Sequence, residues 1–264
     1  MKILIIGGGG REHALAWKIR RSPRAAEVFC VPGNAGISGD AVCRPGDIVS
    51  PGAMAGLAQE LGADLTVVGP EAPLVAGVAD EFRARGLAVV GPGQAPARLE
   101  GSKVFAKEFM RRHRIPTAEF LVLESAEEVR SRIASFGFPV VLKADGLAAG
   151  KGVIVAESRA AAETSGELMI AGQVVGAAGR RAVLERFLPG EEVSFIVLTD
   201  GRDCLAFPPT QDHKAAYDDD KGPNTGGMGA YCDFDILTEA QRTGILRHIV
   251  EPVLEGLRAE GLPY

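Results

Sequence analysis

The sequence is poor in cysteine. It has four in 264 residues, Cys30, Cys43, Cys204 and Cys232, and no C-x-x-C pair. Disulfide frameworks and structural metal sites place cysteines at short, repeated spacings, so free thiols and no metal-ligand set are expected. A basic excess is also lacking: 29 Lys and Arg stand against 34 Asp and Glu, a net charge of −5. The densest basic stretch is Arg111-Arg112-His113-Arg114. General binders of nucleic acid or anionic membranes carry a positive excess. That class is excluded, while a local basic pocket for a small phosphate stays open. No apolar run approaches the ~18 residues of a membrane-crossing helix, and Ile3-Leu4-Ile5-Ile6 is too short for a secretory leader. A soluble, cytoplasmic monomer with no nucleic-acid or membrane partner is expected.

What is plentiful is glycine, 34 residues, roughly twice the usual ~7%. The glycines follow no triplet period, which excludes collagen, and they alternate with apolar segments, which argues against disorder. In a globular chain they mark places where backbone turns sharply or approaches something closely. The length suits one to three domains at ~150 residues or fewer each.

The first hundred residues alternate strand and helix. Ile3–Ile6 reads as a strand buried on both faces. Gly7–Gly10 follow, then a helix from about Arg11. Further strands near 28–31, 65–68 and 87–90 end in Pro32-Gly33-Asn34, Gly69-Pro70-Glu71 and Gly91-Pro92-Gly93. One helix is expected through Val75, Ala79 and Phe82. This order predicts a parallel sheet covered by helices on both faces. Ligands of such sheets bind beyond the carboxyl ends of the strands, where three glycine-bearing loops converge and a helix N-terminus favours an anion. A dinucleotide fits poorly. The G-x-G-x-x-G fingerprint has Glu12 in place of its third glycine, and the second strand ends in Cys30-Val31-Pro32, with no acid for a ribose. A phosphate monoester fits better, with Asn34 and Glu71 beside it for hydroxyls or an amine.

A helix opening near Leu99–Lys103 runs to about Arg112, and Pro116 ends it. From there the order reads β-α-β-β-α-β: strands near 117–123, 140–143, 153–155 and 182–185, and helices from Ser125 and over 159–170. Ser125 with Glu128 predicts a capping box. The loop Asp145-Gly146-Leu147-Ala148-Ala149-Gly150-Lys151-Gly152 looks like a Walker A loop and fails as one. Its glycines are too close, Gly152 replaces Ser or Thr, and a strand follows it. It is instead a glycine-rich hairpin tip suited to covering phosphates. Lys143, at the end of the entering strand, is either a phosphate ligand or a snorkelling strand-end lysine. The segment Leu184–Ser194 is either a solvated acidic turn or a connector against which an adenine lies, with Glu192 near ribose hydroxyls. A strand is expected over 193–198.

The lid, the strand-end lysine and Glu185-Arg186-Phe187-Leu188-Pro189-Gly190-Glu191-Glu192 together resemble the ATP-grasp superfamily. Three further segments narrow the resemblance: Lys2 through Ala14, Pro32-Gly33-Asn34-Ala35-Gly36, and Gln211-Asp212-His213-Lys214 with Gly222 through Tyr231. Over essentially the whole chain the sequence resembles the phosphoribosylamine–glycine ligase family. The resemblance implies an α/β chain. Residues 1–101 would form a Rossmann-like, pre-ATP-grasp domain with a parallel sheet. Residues 102–190 would form the first ATP-grasp lobe with its lid, the split module occupying 115–188. Residues 191–264 would begin a second, incomplete α+β lobe. It implies ATP and Mg²⁺ as cofactors, with the family's metal ligands expected beyond residue 264, and glycine and 5-phosphoribosylamine as substrates. Lys103 and Lys143 would contact ATP phosphates, covered by Gly150, Lys151 and Gly152. Glu185 and the Leu188 backbone would face adenine, and Glu192 the ribose. Gly9, Gly10, Asn34 and Glu71 would hold phosphoribosylamine. Asp212, Lys214, Asn224, Gly226, Gly227 and Met228 would line the reaction centre, with Lys143, Asp212 and Lys214 as catalytic candidates. His213 is left open and His13 is expected to pack or cap. The chain departs from the family pattern at Ala215-Ala216 and at Cys232-Asp233.

Overall fold

The structure, a computed structural model, describes residues 1–148, 152–174, 180–218, 221–262 and 264, and only the backbone at 223, 224 and 226. It divides into two compact units, Met1–Gly101 with Leu262–Tyr264, and Ser102–Gly261. Among the described residues no helix is long and apolar enough to cross a membrane.

The first unit runs β1 (Lys2–Gly7), α1 (Gly10–Arg20), β2 (Glu27–Pro32), β3 (Val42–Cys43), α2 (Pro51–Leu61), β4 (Leu65–Val68), α3 (Glu71–Val75), α4 (Val78–Ala84), β5 (Val89–Val90) and α5 (Gln94–Gly101). Its sheet is parallel throughout, in the order β3-β2-β1-β4-β5. The unbroken apolar run of β1 follows from burial on both faces. Leu4 and Ile6 pack with Phe29, Met54, Val78 and Phe82. Ile3 and Ile5 pack on the other side with Ala16, Val28 and Ile37. The single helix expected through Val75, Ala79 and Phe82 is two, because Gly77 sits at φ +93°, a left-handed conformation that interrupts a helix. The strand pattern gives no warning of α2, although Pro51 in its first turn and Gly62 just past its end mark both limits.

The second unit opens with α6 (Lys103–Arg112), then β6 (Phe120–Leu123), α7 (Ala126–Arg132), β7 (Val140–Ala144), β8 (Val153–Ala156), α8 (Arg159–Ile170) and β9 (Ala182–Arg186). The four strands form an antiparallel sheet, ordered β6-β9-β7-β8. Side chains alternate across it. Leu142, Ala144, Ala182 and Leu184 pack with Val129, Ile133, Ala162 and Met169 beneath α7 and α8. Lys143 and Glu185 fall on the opposite face by the same alternation. Two hairpins follow, β10 (Val197–Thr199) with β11 (Cys204–Ala206), and β12 (Thr210–Tyr217) with β13 (Lys221–Cys232). The strand expected over 193–198 narrows to β10, with one bridge from Ser194 to Thr210. The chain then forms α9 (Glu239–Ile245), a π-type turn and α10 (Glu251–Ala259).

The expected helix from Leu99 to Arg112 is likewise two, because Ser102 caps α6 by accepting the Phe105 N–H. That cap is tied to the root of the glycine-rich hairpin. Asp145 is buried; its Oδ1 accepts Ser102 Oγ at 2.8 Å and the Val104 N–H at 3.2 Å. Its Oδ2 accepts from Arg181 at 2.6 Å. Lys103 completes the tie by donating to the Gly146 carbonyl at 2.9 Å. At the other end of α6, Arg112 and His113 meet Glu260, just past α10, at 2.9 and 2.8 Å. Burial pushes the Glu260 carboxyl up, but the His113 and Arg112 hydrogen bonds and charges outweigh it and hold it below the ordinary 4.5.

Two stability measurements check these anchors. Asp145→Asn should cost about 1–3 kcal/mol in urea denaturation, since it removes a buried charge-assisted acceptor; an unchanged midpoint would contradict the anchoring role. Glu260 has a depressed folded-state pKa, so its contribution is present above 4.5 and is lost as the pH falls through the folded value. Glu260→Gln should therefore cost about 0.5–1 kcal/mol at neutral pH, with the difference shrinking in acid. A cost independent of pH would refute this.

Candidate functional site

The expected site residues fall into three groups. The first lies at the carboxyl edge of the parallel sheet. From β1 the chain builds outward to β3 on one side and to β5 on the other, so the switch point lies between β1 and β4, where such sheets bind ligands. Gly7–Gly10 and Gly69–Glu71 border it. Asn34 Nδ2 donates to the Gly8 carbonyl at 2.8 Å, and its Oδ1 accepts the Ile37 N–H at 2.9 Å. Arg11 donates to the Gly69 carbonyl at 2.6 Å. Gly9 and Gly10 are exposed, and Glu71 is half-buried at the start of α3. Glu12 is buried, and its Oε2 accepts the Gly9 N–H at 2.7 Å. A carboxylate thus stands where a dinucleotide's pyrophosphate would need bare backbone. His13 faces Asp40, with Nε2 at 3.5 Å from its carboxylate.

The second group is a cleft in the other unit. Lys103, Ala106, Lys107 and Met110 recur at i, i+3, i+4 and i+7, one face of α6, and with Lys143 of β7 and Glu185 of β9 they line a cavity of about 170 Å³. A single water needs only ~10–15 Å³ by the same measure, so this is room for a ligand group. Register explains the meeting of strands. Lys143 pairs with Val183 and Val141 with Glu185, so the lysine and the carboxylate are diagonal neighbours on one face. Glu185 is buried, and its Oε2 lies 3.0 Å from Lys143 Nζ and 3.2 Å from Lys107 Nζ. Among the described residues its Oε1 has no hydrogen-bond partner. Burial pulls the Lys107 ammonium below its ordinary pKa, Glu185 opposes that pull, and Lys143 adds to it. Three ammonium groups against one carboxylate leave the cleft positive, suited to a polyanion. Gly152 closes the lid's strand ladder through its carbonyl, which accepts the Ala144 N–H at 2.8 Å. Gly150 and Lys151 lie outside the described residues. Leu188 is exposed beside the cleft's strand β9.

The third group gathers around Lys214. Its Nζ lies 3.3 Å from Asp212 and 3.4 Å from Glu192. Burial draws its pKa down, but Glu192 and Asp212 outweigh that and raise it. Asp212 and Lys214 share one face of β12. His213 stacks on Tyr231, with ring centroids 6.0 Å apart. Across the hairpin, Met228 is exposed and Gly227 donates to Thr225 Oγ1 at 3.0 Å. Asn224 lies opposite Ala215 in the β12–β13 ladder; the side chain of Asn224, like Gly226 beyond its backbone, lies outside the description. Among the described residues no hydrogen bond or ion pair joins this group to the lysine cleft.

Sequence reasoning missed Lys107, Asp145 and Arg181 as parts of the arrangement. Lys107 had a signal, since it follows Lys103 by four residues and a helix puts both on one face.

Comparison with known proteins adds the family. The model for the phosphoribosylglycinamide synthetase N domain matches residues 1–100, and that for its ATP-grasp (A) domain matches 101–264. Phosphoribosylamine–glycine ligases of Ralstonia nicotianae and Allochromatium vinosum are 48% and 51% identical to the chain over all of its length. The chain spans 63% and 62% of those relatives. The crystal structure of the Thermotoga maritima phosphoribosylamine–glycine ligase superposes with a TM-score of 0.83 at 33% identity, covering 100% of this chain and 63% of that one. The biotin carboxylase domain of the Hydrogenobacter thermophilus 2-oxoglutarate carboxylase, solved with MgADP and bicarbonate, shares the fold at 19% identity and a TM-score of 0.72, covering 97% of this chain and 58% of that one. The chain belongs to the phosphoribosylglycinamide synthetase family.

Proposed function

We propose that the chain carries the nucleotide- and substrate-binding parts of a ligase that joins glycine to 5-phospho-β-D-ribosylamine at the expense of ATP, in de novo purine biosynthesis. The observation that carries the nucleotide reading is the cleft of Lys103, Lys107, Lys143 and Glu185, positive overall and with one buried carboxylate oxygen that has no donor among the described residues. The accessible ammonium groups suit the phosphates, and Glu185 Oε1 suits an exocyclic amine of adenine. The MgADP held by the Hydrogenobacter carboxylase domain of the same fold supports this reading.

In the reaction, a glycine carboxylate oxygen attacks the γ-phosphorus and ADP leaves. The amine of phosphoribosylamine then attacks the acyl carbon of glycyl phosphate, phosphate leaves and a proton is released. Phosphoryl transfer of this kind depends mainly on positioning and charge neutralisation. Lys103 and Lys143 neutralise developing phosphate charge, and the hairpin from Gly146 to Gly152 keeps water from the acyl phosphate. Leu188 offers backbone to the base and Glu192 offers its carboxylate to the ribose. Gly9, Gly10, Asn34 and Glu71 receive phosphoribosylamine. Asp212 and Lys214, with the segment from Asn224 to Met228, line the reaction centre. Mg²⁺ would supply neutralisation of phosphate charge in such transfers. The described residues do not fit its site: the cleft is cationic, and among them no three His, Cys, Asp or Glu side chains form a metal-ion cluster. No step is assigned to the metal.

Calorimetric titration should show ATP binding to this chain, and Lys143→Ala should weaken it by about tenfold or more, as expected for one lost charge-assisted contact. ADP formation, where it occurs, should require both glycine and phosphoribosylamine. Absence of ATP binding, or ADP release driven by bicarbonate in place of glycine, would overturn the reading.

A further inference from the structure

Glu185 Oε2 is shared by two ammonium groups in different settings. The Lys143 side chain is 31% exposed and stands on the open side of the cleft. That of Lys107 is 10% exposed and is held from behind by Thr117 Oγ1 at 2.6 Å. Among the described residues the charged groups lining the cleft with Glu185 are Lys103 and Lys107 from α6 and Lys143 from β7. Its cross-strand neighbours, Phe120 on β6 and Val141 on β7, do not titrate. Among the described residues Oε1 meets no donor.

An incoming phosphate recruits the accessible ammonium. Once Lys143 turns to it, Lys107 alone remains on Oε2. A buried carboxylate stripped of both cations would take a proton from solvent. A protonated carboxyl donates as well as accepts, whereas the ionised group only accepts. The distinction matters for a purine, because a 6-amino group donates to Oε1 and a 6-oxo group repels it. We propose that Lys107 is a positioning residue, the fixed counter-ion that keeps Glu185 an acceptor-only carboxylate while Lys143 serves the phosphates, and that it thereby sets a preference for 6-amino over 6-oxo purine nucleotides. This inference rests on the nucleotide reading above. Lys107 is suited to the role because its side chain is almost fully buried and its head is held between Thr117 and Glu185.

The test is calorimetric titration of the whole chain with ATP and with inosine triphosphate. The wild type should favour ATP by about tenfold or more. Lys107→Met should bring the two nucleotides within about threefold. Lys107→Arg, which keeps the charge, should restore the preference. Thr117→Val leaves the lysine in place but unpins its head; it should give an intermediate ratio, and it keeps the test decisive where Lys107→Met does not fold. A lysine that merely supports the fold would weaken both nucleotides by one factor. Equal weakening, or an unshifted ratio in both variants, overturns the proposal while leaving the nucleotide reading standing. A wild type that binds no ATP overturns both.

Discussion

One carboxylate, Glu185, is the constraint on which the second unit's cleft depends. Burying an ionised carboxylate is costly unless cations and hydrogen bonds compensate. Here Oε2 receives two ammonium groups and Oε1 receives nothing from the described residues. A buried polar atom without a partner costs roughly 1–3 kcal/mol. The fold could have avoided that cost with an apolar residue at this point of β9, where Leu184 and Val183 are already buried. Retaining the carboxylate leaves an acceptor that a ligand can satisfy. The three lysines fit the same logic, since their mutual repulsion is relieved only in part by one negative charge and falls further when an anion enters.

The elements around the cleft are arranged to make that charge cluster rigid at its base and open at its mouth. Asp145 joins the start of α6 to the root of the hairpin through Ser102, the Val104 N–H and Arg181. Lys103, which lines the cleft, is therefore set by the same side chain that sets where the hairpin leaves the sheet. Its own head group closes on the Gly146 carbonyl.

Much of this was legible in the residues, and the failures have physical causes. Continuous apolar runs identified β1, β7 and β9, because each has at least one fully buried face. The break of the Val75–Phe82 helix was hidden because its apolar spacing continues across Gly77, and periodicity does not register one backbone angle. Ser125 does accept the Glu128 N–H at 3.2 Å, but the Glu128 carboxylate reaches the Glu124 N–H, one residue before the cap. The reciprocal half of a capping box depends on a side-chain rotamer, which spacing does not specify. Lys103 and Lys143 stood out through motif context. Lys107 did not, because a lysine on an amphipathic helix is usually solvated. Its role emerges only when β9 places Glu185 against it.

The glycine excess also separates into kinds once the neighbours are known. At Gly69 a Cβ would fall on the Glu12 carboxylate, 2.0 Å from its Oε1, so any side chain there would force that buried carboxylate to move. That glycine is required by the protein's own packing, whatever binds nearby. At Gly10 a Cβ would meet nothing within 4 Å, so packing does not demand glycine. Open space alone is weak evidence for a ligand, because Gly56 and Gly244, inside helices, are equally unconstrained. What distinguishes Gly10 is position. It opens α1 at the switch point of the sheet, where backbone N–H groups and the helix dipole both favour an anion. Glu12 already takes the Gly9 N–H, so a phosphate at this edge must either use the N–H groups that follow or displace a carboxylate. The first course keeps the negative charges apart, so an anion at this edge would be favoured at the exposed start of α1 rather than at the buried floor beneath it.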